Sequence, residues 1–201
     1  RLKPLDPLRV APDAALRGTA LHAILRRFVD ATWHGLPPPN DAEAQLIAVA
    51  QEVLDDAAPW PAVRRLWRAR IVRVADWFLA GEVERRAAGA PLALERRGSW
   101  SLDTLGTTLV GTADRIDRLH DGGLAIFDYK TGTPPNEKQE RAFAKQLWLE
   151  ALMAERGGFG GDLAQPVQRI AYIGLGSTPK IVDHAPEAGD LARIEAEFHS
   201  L

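Results

Sequence analysis

The segment "GTADRIDRLHDGGLAIFDYKTG" (residues 111–132) decides the fold. His120, Asp121, Gly122 and Gly123 interrupt two strand-like runs, which is the composition of a hairpin turn. Alternate residues of a strand share a face. Asp128 and Lys130 therefore point the same way as Leu124 and Ile126, while Phe127 and Tyr129 point the other way. Both faces stay largely apolar until the strand ends, which predicts a buried strand with polar groups only at its exit.

The length of the turn sets what faces what. A three-residue loop, His120 to Gly122, pairs Leu119 with Gly123 and brings Asp114 opposite Asp128. A five-residue loop with the same centre gives the same pairing. A two-residue loop shifts the register by one and separates the faces. In the first register Asp114, Asp128 and Lys130 converge, and Asp117 falls on the other face as a structural residue. Neighbouring carboxylates repel, and burial worsens this, so they need a cation. Oxygen donors suit a hard ion such as Mg²⁺ or Mn²⁺. Lys130 adds a positive charge that can orient a water or stabilise a developing phosphorane, as metal-assisted phosphodiester hydrolysis requires. Taken alone, "DYK" also describes an ordinary strand-end ion pair.

Outward from the hairpin, residues 1–90 read as a helical part. Leu21, Ile24, Leu25 and Phe28 mark a helix that ends before Gly35. Residues 41–57 predict a second, with Asp41 as its N-cap. Val63, Leu66, Trp67, Ile71, Val74, Trp77 and Phe78 carry a third to about residue 88. Residues 91–201 read as the core: strands over 91–102, 107–119 and 124–132, a helix over 137–156, a strand over 167–176, a short one near 178–184 and a last helix. The expected fold is α/β, a mixed sheet flanked by helices with an N-terminal helical part. Together the two parts form one compact domain.

Hydrophobic residues make up 46% of the 201 residues, enough for a sizeable core. There is no cysteine, which excludes disulfides, thiol catalysis and cysteine-held metal clusters. The formal net charge is −2, so no global excess of positive charge marks a nucleic-acid binder. Local charge differs: "RRLWRARIVR" (64–73) is basic, and arginine pairs follow at 85–86 and 96–97. They read equally as a solvated helix face with stems covering tryptophans or as a polyanion-facing surface. No apolar run is long enough to span a membrane, and no signal-peptide pattern opens the chain. The start at Arg1, with Met153 the single methionine, leads us to expect a C-terminal fragment of a larger protein. No G-x-x-x-x-G-K-[ST] pattern for ATP occurs.

"GTALH" (18–22), "GTAD" (111–114), "DYKTG" (128–132) and "QLWLEAL" (146–152) stand in one order along the chain. In that order they resemble the PD-(D/E)XK nuclease superfamily, most closely its RecB/AddB-type nuclease domains. The resemblance implies that Asp114 and Asp128 ligate the metal and that Lys130 is the catalytic lysine. It adds His22 as a further ligand after Gly18, the Tyr129 carbonyl as part of the metal shell, Gln146 as a helix residue near the phosphate or the lysine, and Glu95 as the acidic residue before the "G-x-x-D" strand. Where the family carries a tyrosine four residues after the glutamine, this chain has Glu150. Many AddB-like domains hold an iron–sulfur cluster; without cysteine this chain belongs to a cluster-free branch or lacks the cluster residues. The implied activity is a cytoplasmic, Mg²⁺- or Mn²⁺-dependent DNA nuclease. It would leave a 5′ phosphate, act on single strands fed by an AddA-like helicase subunit, and serve double-strand break repair. The alternatives are an inactive nuclease-fold module that docks DNA and a stand-alone exonuclease or restriction-type enzyme.

Overall fold

Asp13 opens the first helix. Its carboxylate accepts the Leu16 N–H at 2.8 Å, satisfying one free amide of the helix start. The computed structural model describes residues 13–37, 39–102, 106–135, 139 and 145–199. Within them lie α1 (Ala14–Ala31), α2 (Pro39–Ala57), α3 (Pro61–Ala88), β1 (Gly89–Leu102), β2 (Thr107–Leu119), β3 (Leu124–Lys130), α4 (Gln146–Glu155), a 3-10 turn (Gly161–Leu163), β4 (Val167–Gly174), β5 (Lys180–His184) and α5 (Ala188–His199).

The strands form one mixed sheet in the order β1-β2-β3-β4-β5. Among the described strands only β3 and β4 run parallel, a step that needs the long crossover containing α4. The hairpin pairs Arg115 with Phe127, Ile116 with Ile126 and Asp117 with Ala125. Leu119 N–H donates to Gly123 O at 2.8 Å, so the loop is His120–Gly122. Gly122 takes φ 92°, a conformation that favours glycine.

Two cores cover the sheet. On one face α1, α2 and α3 bury Ala125, Phe127, Tyr129, Ala171 and Ile173. On the other α4 and α5 cover Ile116, Ile126, Ile170 and Tyr172. Strand β3 is thus buried on both faces up to Tyr129, with only Lys130 partly exposed. That placement explains its continuous apolar run.

Three details differ from expectation, and a fourth lies partly outside the described residues. α2 starts at Pro39, so Asp41 sits in its first turn, where its charge meets the helix dipole, and is not the N-cap. β1 starts at Gly89, not Pro91, because α3 passes into it without a loop. Gly89 pairs with Leu119 so closely that a Cβ would run into the Arg118 carbonyl. On α3, Leu66 is 54% exposed and off the buried stripe of Trp67, Ile71, Val74 and Phe78. The helix expected over 137–156 is described from Gln146; residues 137–138 and 140–144 lie outside the described residues. Among the described residues no helix is long and apolar enough to cross a membrane.

Candidate active site

Strands β1 and β2 invert their alternation at one point. On β2, Leu109 and Ala113 face α4, and a Cβ at Gly111 would touch Met153. Further along, Ile116 takes that face while Arg115 turns to the other. On β1, Leu94 packs toward the three leading helices, whereas Trp100 faces the α4 side. The pairs Leu94–Arg115 and Arg96–Ala113 bracket Glu95 and Asp114 at the inversion. Glu95 has φ 48°, a left-handed conformation that costs a non-glycine residue about 1–3 kcal/mol. The inversion takes Asp114 out of plain alternation. Its Oδ2 accepts the Tyr129 N–H at 2.8 Å, and its Oδ1 lies 3.2 Å from His22 Nδ1.

Helix α1 supplies His22. Its Nε2 is 2.9 Å from the Tyr129 carbonyl, which can only accept, so Nε2 carries a proton. Nδ1 then faces Asp114 and, at 3.5 Å, Glu95 Oε1. Donor atoms of His22, Glu95 and Asp114 all lie within 4.8 Å of one another. The hydrogen bonds to Asp114 and Glu95 outweigh burial and raise the imidazole to about 10. An imidazolium proton therefore fills the space between two carboxylates, which is where a cation belongs. One nitrogen and two carboxylate oxygens fit a divalent ion such as Mn²⁺ or Mg²⁺. The carbonyl bond at Nε2 fixes the ring and leaves Nδ1 as the ligand atom.

Asp128 stands beside this trio on the α4 side. Its Oδ1 accepts from Lys130 Nζ and Gln146 Nε2, both at 2.9 Å. Its Oδ2 lies 2.8 Å from the same Nζ, without a well-angled hydrogen bond. Burial first, then the charge of Asp114, push its carboxyl up to about 6. Lys130 Nζ also reaches Gln146 Oε1 at 3.2 Å. Gln146 Nε2 donates to Glu150 Oε1 at 2.9 Å, and Glu150 Oε2 is buried with no hydrogen-bond partner among the described residues. Burial pushes the Glu150 carboxyl to about 8, the Gln146 bond opposing and the charges of Asp128 and Asp114 adding. Without a metal ion Glu150 is therefore mostly protonated at neutral pH, and the negative charge expected at the family's tyrosine position is largely absent.

Behind β3 lies a buried ionic network. Arg115 is fully enclosed and forks onto Asp117 at 2.6 and 2.7 Å. It also pairs with Glu82 and touches the Tyr129 hydroxyl at 3.3 Å. Glu82 holds Arg85 at 2.7 Å and Arg86 at 3.2 Å. Burial works against its charge, but Arg115 and Arg85 keep the carboxyl down at about 2. This network grips the Tyr129 side chain and so steadies the backbone whose carbonyl orients His22.

The structure thus brings His22, Glu95 and Asp114 together at the β3 exit, while Asp128, expected as a metal ligand beside Asp114, lies near that trio but bonds Lys130 and Gln146. The Tyr129 carbonyl, expected in the metal shell, here binds His22 Nε2. Glu95 joins the cluster that could hold a metal ion, and Asp117 serves the structural network. Arg85 is buried, Arg86 bonds Thr32 O at 2.6 Å, and Arg96 bonds Phe159 O at 3.0 Å, so these three arginines are structural. Sequence reasoning missed the Glu82–Arg115 pair. An open cleft of about 560 Å³, lined by Gly18, Thr19, His22, Ala23, Arg26 and Glu95, reaches two members of the trio.

This chain belongs to the PD-(D/E)XK nuclease superfamily, whose family model matches residues 1–201. Members are typically metal-dependent nucleases, in keeping with the donor set. It is similar to three uncharacterized proteins of Rickettsia. The protein of Rickettsia bellii is 25% identical over 90% of this chain and 24% of its own length. That of Rickettsia typhi is 30% identical over 59% of this chain and 14% of its own length. That of Rickettsia conorii is 29% identical over 79% and 20%. The chain spans at most about a quarter of the curated relatives it matches.

Proposed function

We propose that the protein is a divalent-metal-dependent DNA nuclease of the RecB/AddB branch, acting on single strands. The observation that carries this is the His22–Glu95–Asp114 cluster set against the Asp128–Lys130–Gln146 cluster at one strand exit. A divalent ion in the first cluster would supply Lewis-acid stabilisation of the phosphoryl group and a more acidic water. Lys130, about a third exposed, sits between buried Asp128 and solvent, where its charge offsets negative charge building on a phosphate. Gln146 spans Asp128 and Lys130 and holds the amine in place. Glu95 and Asp114 anchor His22 so that Nδ1 points inward.

The repair role and the AddA-like helicase partner rest on the resemblance of "GTALH", "GTAD", "DYKTG" and "QLWLEAL" to that branch. The much longer relatives are compatible with a nuclease working inside a larger assembly. A second reading, an inactive module that docks DNA, draws slight support from Glu150 at the tyrosine position, while the intact Asp114, Asp128 and Lys130 argue against it. The deciding experiment incubates the protein with labelled single-stranded DNA and Mg²⁺ or Mn²⁺, beside Asp128→Asn. The nuclease reading expects degradation by the wild type, its loss in EDTA, and a drop of about 100-fold or more in the variant. Equal inactivity of both proteins within a complete helicase complex overturns it in favour of docking.

A further inference from the structure

A second cleft, of about 280 Å³, opens beside the first. Arg17 of α1, Arg70 and Arg73 of α3, and Thr131, Gly132 and Gly176 of the loops after β3 and β4 line it. Arg17 and Gly18 are neighbours in the helix, one lining each cleft. Thr131 and Gly132 directly follow Lys130. Arg17 stands five residues before His22, about 7.5 Å along the helix axis, a span of one or two nucleotides.

Three observations set this cleft apart from a solvated basic face. First, the guanidinium groups of Arg17, Arg70 and Arg73 make no ion pair or hydrogen bond with any described residue, and Arg17 Nε is buried without a partner. Arg64, Arg156 and Arg169, by contrast, each hold a carboxylate. Second, among the described residues no acidic side chain lines it. Third, part of its floor is bare backbone. Leu175 N–H bonds Lys130 O at 2.8 Å, and a Cβ on Gly176 would meet the Gly132 carbonyl carbon at 3.1 Å. A Cβ on Gly132 would meet nothing within 4 Å, so the glycine keeps the floor low.

Guanidinium forks without a partner among the described residues, above exposed backbone, suit phosphate oxygens. We propose that this cleft binds the phosphodiester backbone of the nucleic-acid strand one or two nucleotides from the scissile phosphate, with Arg17, Arg70 and Arg73 as the contacting groups. That the strand continues to a scissile phosphate rests on the nuclease reading; the binding itself does not.

The test measures anisotropy of a 5′-fluorescein-labelled single-stranded oligonucleotide in EDTA, across a salt series. The wild type is compared with the double variant Arg70→Gln/Arg73→Gln and with Gly132→Leu, which fills the cleft without changing charge. Both arginines are exposed and the glycine faces open space, so both variants should fold, as circular dichroism will report. Expected are an affinity loss of about tenfold in each variant and, in the double variant alone, a salt dependence shallower by about 1.4, two phosphates at about 0.7 each. Wild-type affinity and slope in both variants, or no binding by the wild type at low salt, overturns the proposal. Cleft-dependent binding without any Mg²⁺- or Mn²⁺-dependent cleavage leaves the cleft standing and sinks the nuclease reading. Cleavage with binding indifferent to the cleft does the reverse.

Discussion

Replacing Glu150 by glutamine should stabilise the metal-free protein, and by an amount that depends on pH. The Glu150 side chain is 4% exposed, and its carboxyl moves from an ordinary 4.5 to about 8 on folding. A carboxyl raised in this way favours folding only while protonated. Its contribution is complete below about pH 4.5 and is lost as pH rises through about 8. At about 1.4 kcal/mol per pH unit, the wild type should lose about 3 kcal/mol by pH 7 and about 5 by pH 9. Glutamine imitates the protonated acid at every pH and keeps an acceptor for the Gln146 amide. Urea unfolding in EDTA at pH 5, 7 and 9 measures the difference. The two proteins should be nearly equal at pH 5, and the variant should pull ahead by several kcal/mol at pH 9. A gap that stays constant across this range would refute the burial argument.

Other outcomes follow from the same geometry. Glu82→Ala leaves Arg115 and Arg85 buried with one carboxylate fewer and should cost about 3–5 kcal/mol, read as a lower urea midpoint in an otherwise cooperative transition. Lys130→Met keeps the stem and removes the charge, so single-turnover cleavage should fall about 100-fold or more with oligonucleotide affinity little changed. Gly18→Leu places a side chain where an added Cβ meets nothing within 4 Å, in front of His22. It should raise KM for DNA while thermal unfolding moves little.

The hairpin was legible because its chemistry is local. Gly122 at φ 92° accommodates the turn, and the turn sets Asp114 near Asp128. The buried apolar run of β3 likewise announced a central strand. Glu95 was legible as a residue but not as a position. Its φ of 48° marks the point where β1 leaves plain alternation, and simple period-two alternation contains no such step. The Arg115 network stayed hidden for a different reason. Trp67, Ile71, Val74, Phe78, Glu82 and Arg85 share one helical stripe, so charges continue the core face of α3. A single sequence read by polarity sends those charges to solvent. The strand partner of Glu82, Arg115, lies 33 residues away. Glu150 was read as a negative charge, whereas deep burial between α4 and the sheet keeps it protonated.

The cluster of His22, Glu95 and Asp114 as a metal centre is tested most directly by pulsed electron paramagnetic resonance of the protein loaded with one equivalent of Mn²⁺. The Nδ1 assignment predicts one bound ion with a directly coupled imidazole nitrogen. It also predicts affinity that rises with pH, because the ion must displace the His22 proton. In His22→Gln the nitrogen coupling should vanish and the affinity should fall about tenfold or more. Bound Mn²⁺ without nitrogen coupling, or a spectrum unchanged in His22→Gln, would contradict it.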